Sequence, residues 1–164
     1  MAIWQFVVAL IPREWAERDG NGPEMLYDDE GFNNMTITWK SNQPVANLVE
    51  LISRLFLPAE SWSDSLRIWG DQSGNDVQVG YEGDDVEFVM VRIDTRKDAS
   101  HICAKTVELA RALDCLLFLP IERSVVAADE AMLSIAVQNS RAAPFSAAPC
   151  KFIKQLSCTS ANKR

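Results

Sequence analysis

The chain of 164 residues contains one histidine, His101. As a general base it needs an oriented partner and a nucleophile, and no motif supplies either, so its expected place is the solvated side of a helix. Cysteine is absent before Cys103, and the four present, Cys103, Cys115, Cys150 and Cys158, match no zinc or redox spacing. Free thiols are therefore expected. No G-x-G-x-x-G or lysine-bearing phosphate loop occurs, which leaves nucleotide binding without a motif. No G-x-S-x-G elbow or S-x-x-K pair occurs either, so Ser61, Ser63 and Ser65 read as backbone caps and turns. No cofactor is expected.

Long apolar runs are also missing. The opening IWQFVVALI has no basic residue before it and no small-residue cleavage site after it, unlike a secretory signal. Nothing approaches the roughly 20 apolar residues that a membrane helix needs. The expected location is cytoplasmic. Basic residues are scarce in the first 94 positions, where seventeen acidic side chains stand against six basic ones; positions 95 to 164 carry six acidic and ten basic. A net charge of -7 repels phosphate backbones and anionic lipid, so neither nucleic acid nor a membrane is an expected partner.

What is present suits one independent core. The expected domain covers residues 1–150, and residues 151–164 are a C-terminal tail expected to fray. The centre of the organisation is Ser61 to Thr95, which reads as strands at Leu66–Trp69, Val77–Tyr81 and Val86–Ile93. Gly70 to Asn75 and Glu82-Gly83-Asp84 supply turn residues between them. Connections this short require antiparallel neighbours, so the stretch is a three-strand meander.

Before it, Ile3 to Ile11 is a continuous apolar run ended by Pro12, as expected of a strand buried on both faces. A helical turn around Glu14 to Arg18 is followed by the turn Gly20-Asn21-Gly22-Pro23 and the acidic loop Tyr27 to Gly31. Met35 to Trp39 alternates like a strand. Asn42-Gln43-Pro44 reads as the start of an amphipathic helix carrying Val45, Leu48, Val49, Ile52, Leu55 and Phe56 on one side. After the meander, Asp98 can cap a helix to about Leu113, Cys115 to Leu119 reads as a buried strand, and Asp129 can cap a helix to about Asn139. An extended strap with Pro144 and Pro149 follows. The order predicts an α+β fold, a mainly antiparallel sheet with helices packed on one face in a two-layer sandwich.

Asp71, Asn75 and Asp76 offer oxygen ligands close together, but no third ligand at alternating spacing and no closing glutamate follow, so turn chemistry is the expected role and no metal site is assigned. Asp84 and Asp85, as neighbours on a strand, would point to opposite faces and share a site only within a turn. What remains is a surface: Glu60 to Asp94 holds nine acidic residues against Arg67 and Arg92. Such a run is ordinarily a solvated face. Here it is mixed with Trp62, Trp69, Tyr81 and Tyr27, and interfaces use aromatics as anchors and charges for steering. Trp69 reads rather as core.

The blocks LYDDEGF (Leu26 to Phe32), WKSNQP (Trp39 to Pro44), SWSDSLRIWG and DVQVGYE (Ser61 to Glu82) resemble those of small bacterial proteins similar to immunity proteins of polymorphic toxin systems. The resemblance covers about the first half of the chain and supplies no site residues. It implies a cytosolic protein that binds and blocks a cognate toxin. The leading expectation is thus a non-enzymatic acidic binding module for a protein with a basic surface, in which Asp71, Asp76, Glu82, Asp84 and Asp85 attract and Trp62 and Tyr81 anchor. One alternative is a small hydrolase or other enzyme whose site gathers dispersed residues such as Asp71, Glu87 and His101. Another is a subunit of a homo-oligomer, paired through the strand Ile3 to Ile11. The sequence leaves the oligomeric state open.

Overall fold

The structure, a computed structural model, describes residues 3–44 and 47–143. Seven strands form one antiparallel sheet: β1 Gln5–Pro12, β2 Pro58–Ala59, β3 Leu66–Gly70, β4 Asp76–Glu82, β5 Asp85–Asp94, β6 Cys115–Leu119 and β7 Ser124–Val126, in the order β2-β3-β4-β5-β1-β6-β7. The helices are α1 Arg13–Ala16, α2 Thr36–Trp39, α3 Leu48–Leu55, α4 Ser100–Ala112 and α5 Glu130–Asn139. The fold is α+β, and β3, β4 and β5 form the expected meander. No helix among the described residues is long and apolar enough to cross a membrane.

β1 is buried over its whole length because it lies inside the sheet, paired with β5 on one side and β6 on the other. β5 pairs with Gln5 to Leu10 and β6 with Ala9 to Pro12, so most of the strand's pairing is used within the sheet and little of it is left for a second copy.

Alternation along the strands separates two faces. Phe6, Val8 and Leu10 lie opposite Ile93, Val91 and Val89, and these positions join Val77, Val79 and Leu117 in the core beneath the helices. The Trp69 indole of β3 donates to Ser53 of α3 at 2.9 Å. Lys105 of α4 donates to the Leu55 carbonyl at 2.6 Å, and Arg111 reaches the Ala128 carbonyl just before α5 at 3.0 Å. These bonds bind the three longer helices into one layer. The opposite face carries Val7, Ala9, Met90 and Phe118, and the segment from residue 22 to residue 36 clothes it in part. There the Tyr27 ring stands edge-on to Phe118, and its hydroxyl donates to the Pro120 carbonyl at 2.5 Å.

Met35 to Trp39 is a helical turn and not a strand. Met35, Thr38 and Trp39 are the buried positions, a spacing of three and four that suits a helix, and Trp39 donates its indole N–H to the Leu10 carbonyl at 3.2 Å. Tertiary burial overrides the strand preference of the residues. The next helix begins later than its proline suggests. Asn47 is its cap, accepting from the Glu50 amide, while the Asn42 amide donates back to the Thr38 carbonyl and Gln43 bonds both the N–H and the C=O of Val86. Val45 lies outside the described residues. Asp129 caps α5 as expected, whereas Ala99 and not Asp98 takes the cap position of α4; Asp98 instead bonds the amide and hydroxyl of Ser100, the first residue of that helix.

Cys103 and Cys115 are free and buried, and burial pushes the Cys115 thiol up to about 12. Cys150, Cys158, the strap with Pro144 and Pro149, and the C-terminal tail lie outside the described residues.

Candidate functional site

β4 separates the two turns of the meander. Its seven residues put Asp76 and Glu82 about 20 Å apart, so the acidic stretch is not one patch.

At one end lies the β3–β4 turn. Gly70 is in the left-handed region at φ +91, where a side-chain carbon would stand 2.5 Å from the Asn75 carbonyl oxygen, so the tight reversal depends on glycine. Asp71 is exposed, and its carboxylate accepts from the amide and hydroxyl of Ser73, which hold it below the usual carboxylate range. Asn75 accepts from the Asp94 amide at 2.6 Å. Asp76, expected on the binding surface, is fully buried instead. Arg92 binds it through two nitrogens, and Gln78 donates to it at 3.0 Å. The Asp76 charge is neutralised inside the fold and steers nothing. No group of metal-ligating side chains occurs among the described residues.

Close by, Asp94 is buried to 1% exposure beside the half-exposed Arg96, whose guanidinium and amide all bond it. The Arg96 side chain is the main cause that holds the Asp94 carboxylate below its ordinary range, against the opposing effect of burial. A depressed folded value contributes stability that is fully present above the unfolded value of about 3.9 and is lost as pH falls through the folded one. Acidification below about pH 4 is therefore expected to lower the melting temperature, and Asp94→Asn to lose less over the same range. Calorimetry of the two proteins at neutral and acid pH checks this; parallel curves would remove Asp94 from the explanation.

The other end brings sequence-predicted residues together. A two-residue turn, with Gly83 at φ +61, joins Glu82 to its partner Asp85. The register shifts between Gly80 and Tyr81, leaving Glu87 as an extra residue on β5. A β-bulge of this kind re-aims nearby side chains. Asp84 sits in the turn, so it and Asp85 both line one open groove of about 360 Å³, with Tyr81, Asp64, Arg67 and Val49. Arg67 lies over the Tyr81 ring, 5.3 Å from its centroid. Burial pushes the Tyr81 phenol up, with Arg67 opposing. Glu82 is exposed beside the groove, and Trp62, in the loop that leads to Asp64, is 75% exposed. Trp69 is buried, as expected of a core residue.

No protein family, curated protein or solved structure matches this chain. The residues themselves carry the functional argument. Asp71 lies at the far end of β4 from Glu87, and His101 is exposed on α4, in the helical layer. These three do not form one site. Asp64 and Arg67 belong to the groove although sequence reasoning did not single them out. Arg67 pairs with Val79 across the ladder, which makes Tyr81 its diagonal neighbour, a contact legible only once the register is known.

Proposed function

We propose that the protein is an acidic binding module whose Tyr81 groove engages a basic surface of a protein partner, acting as an immunity protein that holds a cognate toxin inactive. The convergence of Asp64, Asp84 and Asp85 on one groove beside a tyrosine carries this reading. Three carboxylates and one arginine leave the groove with a negative field that favours Lys or Arg side chains, and the exposed Trp62 offers apolar area to the same partner. Asp71 and Glu82 contribute only to the longer-range field.

Affinity capture from the source lysate, with the native protein and an Asp84→Lys, Asp85→Lys double variant, tests this reading. The native protein is expected to retain one cationic chain that the variant loses. The association rate should fall about tenfold or more on charge reversal, and should fall steeply between about 0.05 and 0.5 M salt. Co-expression of the protein with the captured partner should restore growth that the partner alone arrests. Equal capture by the variant, or association indifferent to salt, would overturn the groove as the binding surface.

A further inference from the structure

We propose that the sheet face away from the long helices holds a second binding site, for a medium-chain amphiphile with an anionic head, such as an alkyl carboxylate. Two hollows lie on this face. One, of about 470 Å³, is lined by Val7, Tyr27, Met90, Ile121 and Arg123 among others. The other, of about 400 Å³, is lined by Ala9, Met35, Phe88, Met90 and Glu87 among others. They adjoin, since Met90, Asn33 and Pro120 line both. Each falls within the size range of ordinary small-molecule sites, and the shared side chain is an adaptable thioether.

The floor is a strip of strand residues. Val7 and Ala9 of β1 alternate along it beside Arg92, Met90 and Phe88 of β5. From Arg92 to Phe88 the trough runs about 13 Å, the length of an extended chain of about ten carbons. One wall is prebuilt: Tyr27 is fixed by Phe118 and Pro120, and Asp28 accepts from the amides of Glu30 and Phe32 to brace the loop.

Charge sets the polarity of the occupant. At the Tyr27 end, Arg92 is already neutralised by Asp76. Arg123 lies with its guanidinium 4.4 Å from the Tyr27 ring centroid, is exposed and has no carboxylate partner among the described residues. At the opposite end stands Glu87. An anionic head at Arg123 with its alkyl chain running along the half-buried Met90 and Phe88, above the buried Val7 and Ala9, satisfies the cation and covers the apolar surface left open on β5; the reverse orientation places the head against Glu87.

Sodium decanoate is the probe, with decanol and decyltrimethylammonium for comparison. Titration should shift the methyl signals of Met35 and Met90, with decanoate binding about tenfold more tightly than decanol and the cation more weakly still. Each methylene removed should weaken binding by up to about fourfold. Arg123→Gln, at an exposed position, should abolish the preference for decanoate while leaving decanol binding in place, and Met90→Trp should block both. Four outcomes would overturn the proposal: absence of saturable binding at millimolar decanoate, equal affinity for all three probes, unchanged selectivity in Arg123→Gln, or signal shifts confined to other methyls. Shifts of Met35 and Met90 that follow protein concentration alone, with dimers in light scattering, would assign the face to a second copy instead.

Discussion

Asp76→Ala is expected to lower the unfolding free energy by about 3 kcal/mol. The Asp76 carboxylate is wholly inaccessible while Arg92 retains 16% exposure. Removing the acid strands a largely desolvated guanidinium and deprives the Gln78 amide of its acceptor. The remaining access of Arg92 to water keeps the loss at the lower end of the range for buried pairs. Asp76→Leu combined with Arg92→Met should recover most of it, because neither charge is then left alone. Urea denaturation of the three proteins measures both steps. A loss below about 1 kcal/mol for Asp76→Ala would put this pair with ordinary surface bridges.

Trp39→Ala should cost about 3–5 kcal/mol. The side chain is 1% exposed, and its indole joins the α2 turn to the carbonyl of Leu10 in β1. Truncation opens a cavity and cuts that tie together. Trp39→Phe keeps most of the volume and loses the hydrogen bond, so a smaller loss of about 1 kcal/mol is expected from the bond itself. The same denaturation experiment distinguishes them. Equal losses for Phe and Ala would locate the effect in the hydrogen bond and not in packing.

The five longer strands and the longer helices were legible because their signals are local, whereas the short edge strands β2 and β7 carry too few residues to show a pattern. Ile3 to Ile11 shows no alternation, which is what a strand covered on both faces requires. The turns at Gly70 to Asn75 and at Gly83 are written in glycine, aspartate and asparagine. Asp129 announces α5 one residue before it begins. Thr36 to Trp39 was misleading because its side chains favour a strand, while the burial of positions 35, 38 and 39 was visible only with β1 in place.

The candidate surface was harder to read for a related reason. Charges counted along a hairpin look adjacent, yet one extended strand carries its two tips far apart, which separates Asp71 from Asp84 and Asp85. Asp76 reads as a polar residue at the start of a strand. Its burial depends on lying opposite Arg92, a register displaced by the irregularity near Gly80 and Tyr81. Without that extra residue the arginine would lie opposite Asn75 and on the wrong face. Charge reversal at Asp84 therefore tests the proposed binding surface, whereas the same change at Asp76 reports on folding.

The interior position of β1 also bears on how the molecule is made. β1 precedes both of its partners in the chain: it has none until residues near Val89 to Asp94 have been synthesised, and its second flank stays open until Cys115 to Leu119 follow. The meander can close beforehand, from neighbours in sequence. This apolar segment must therefore wait, exposed to chaperones or to other nascent chains, while the meander and the strand beyond it are still being added.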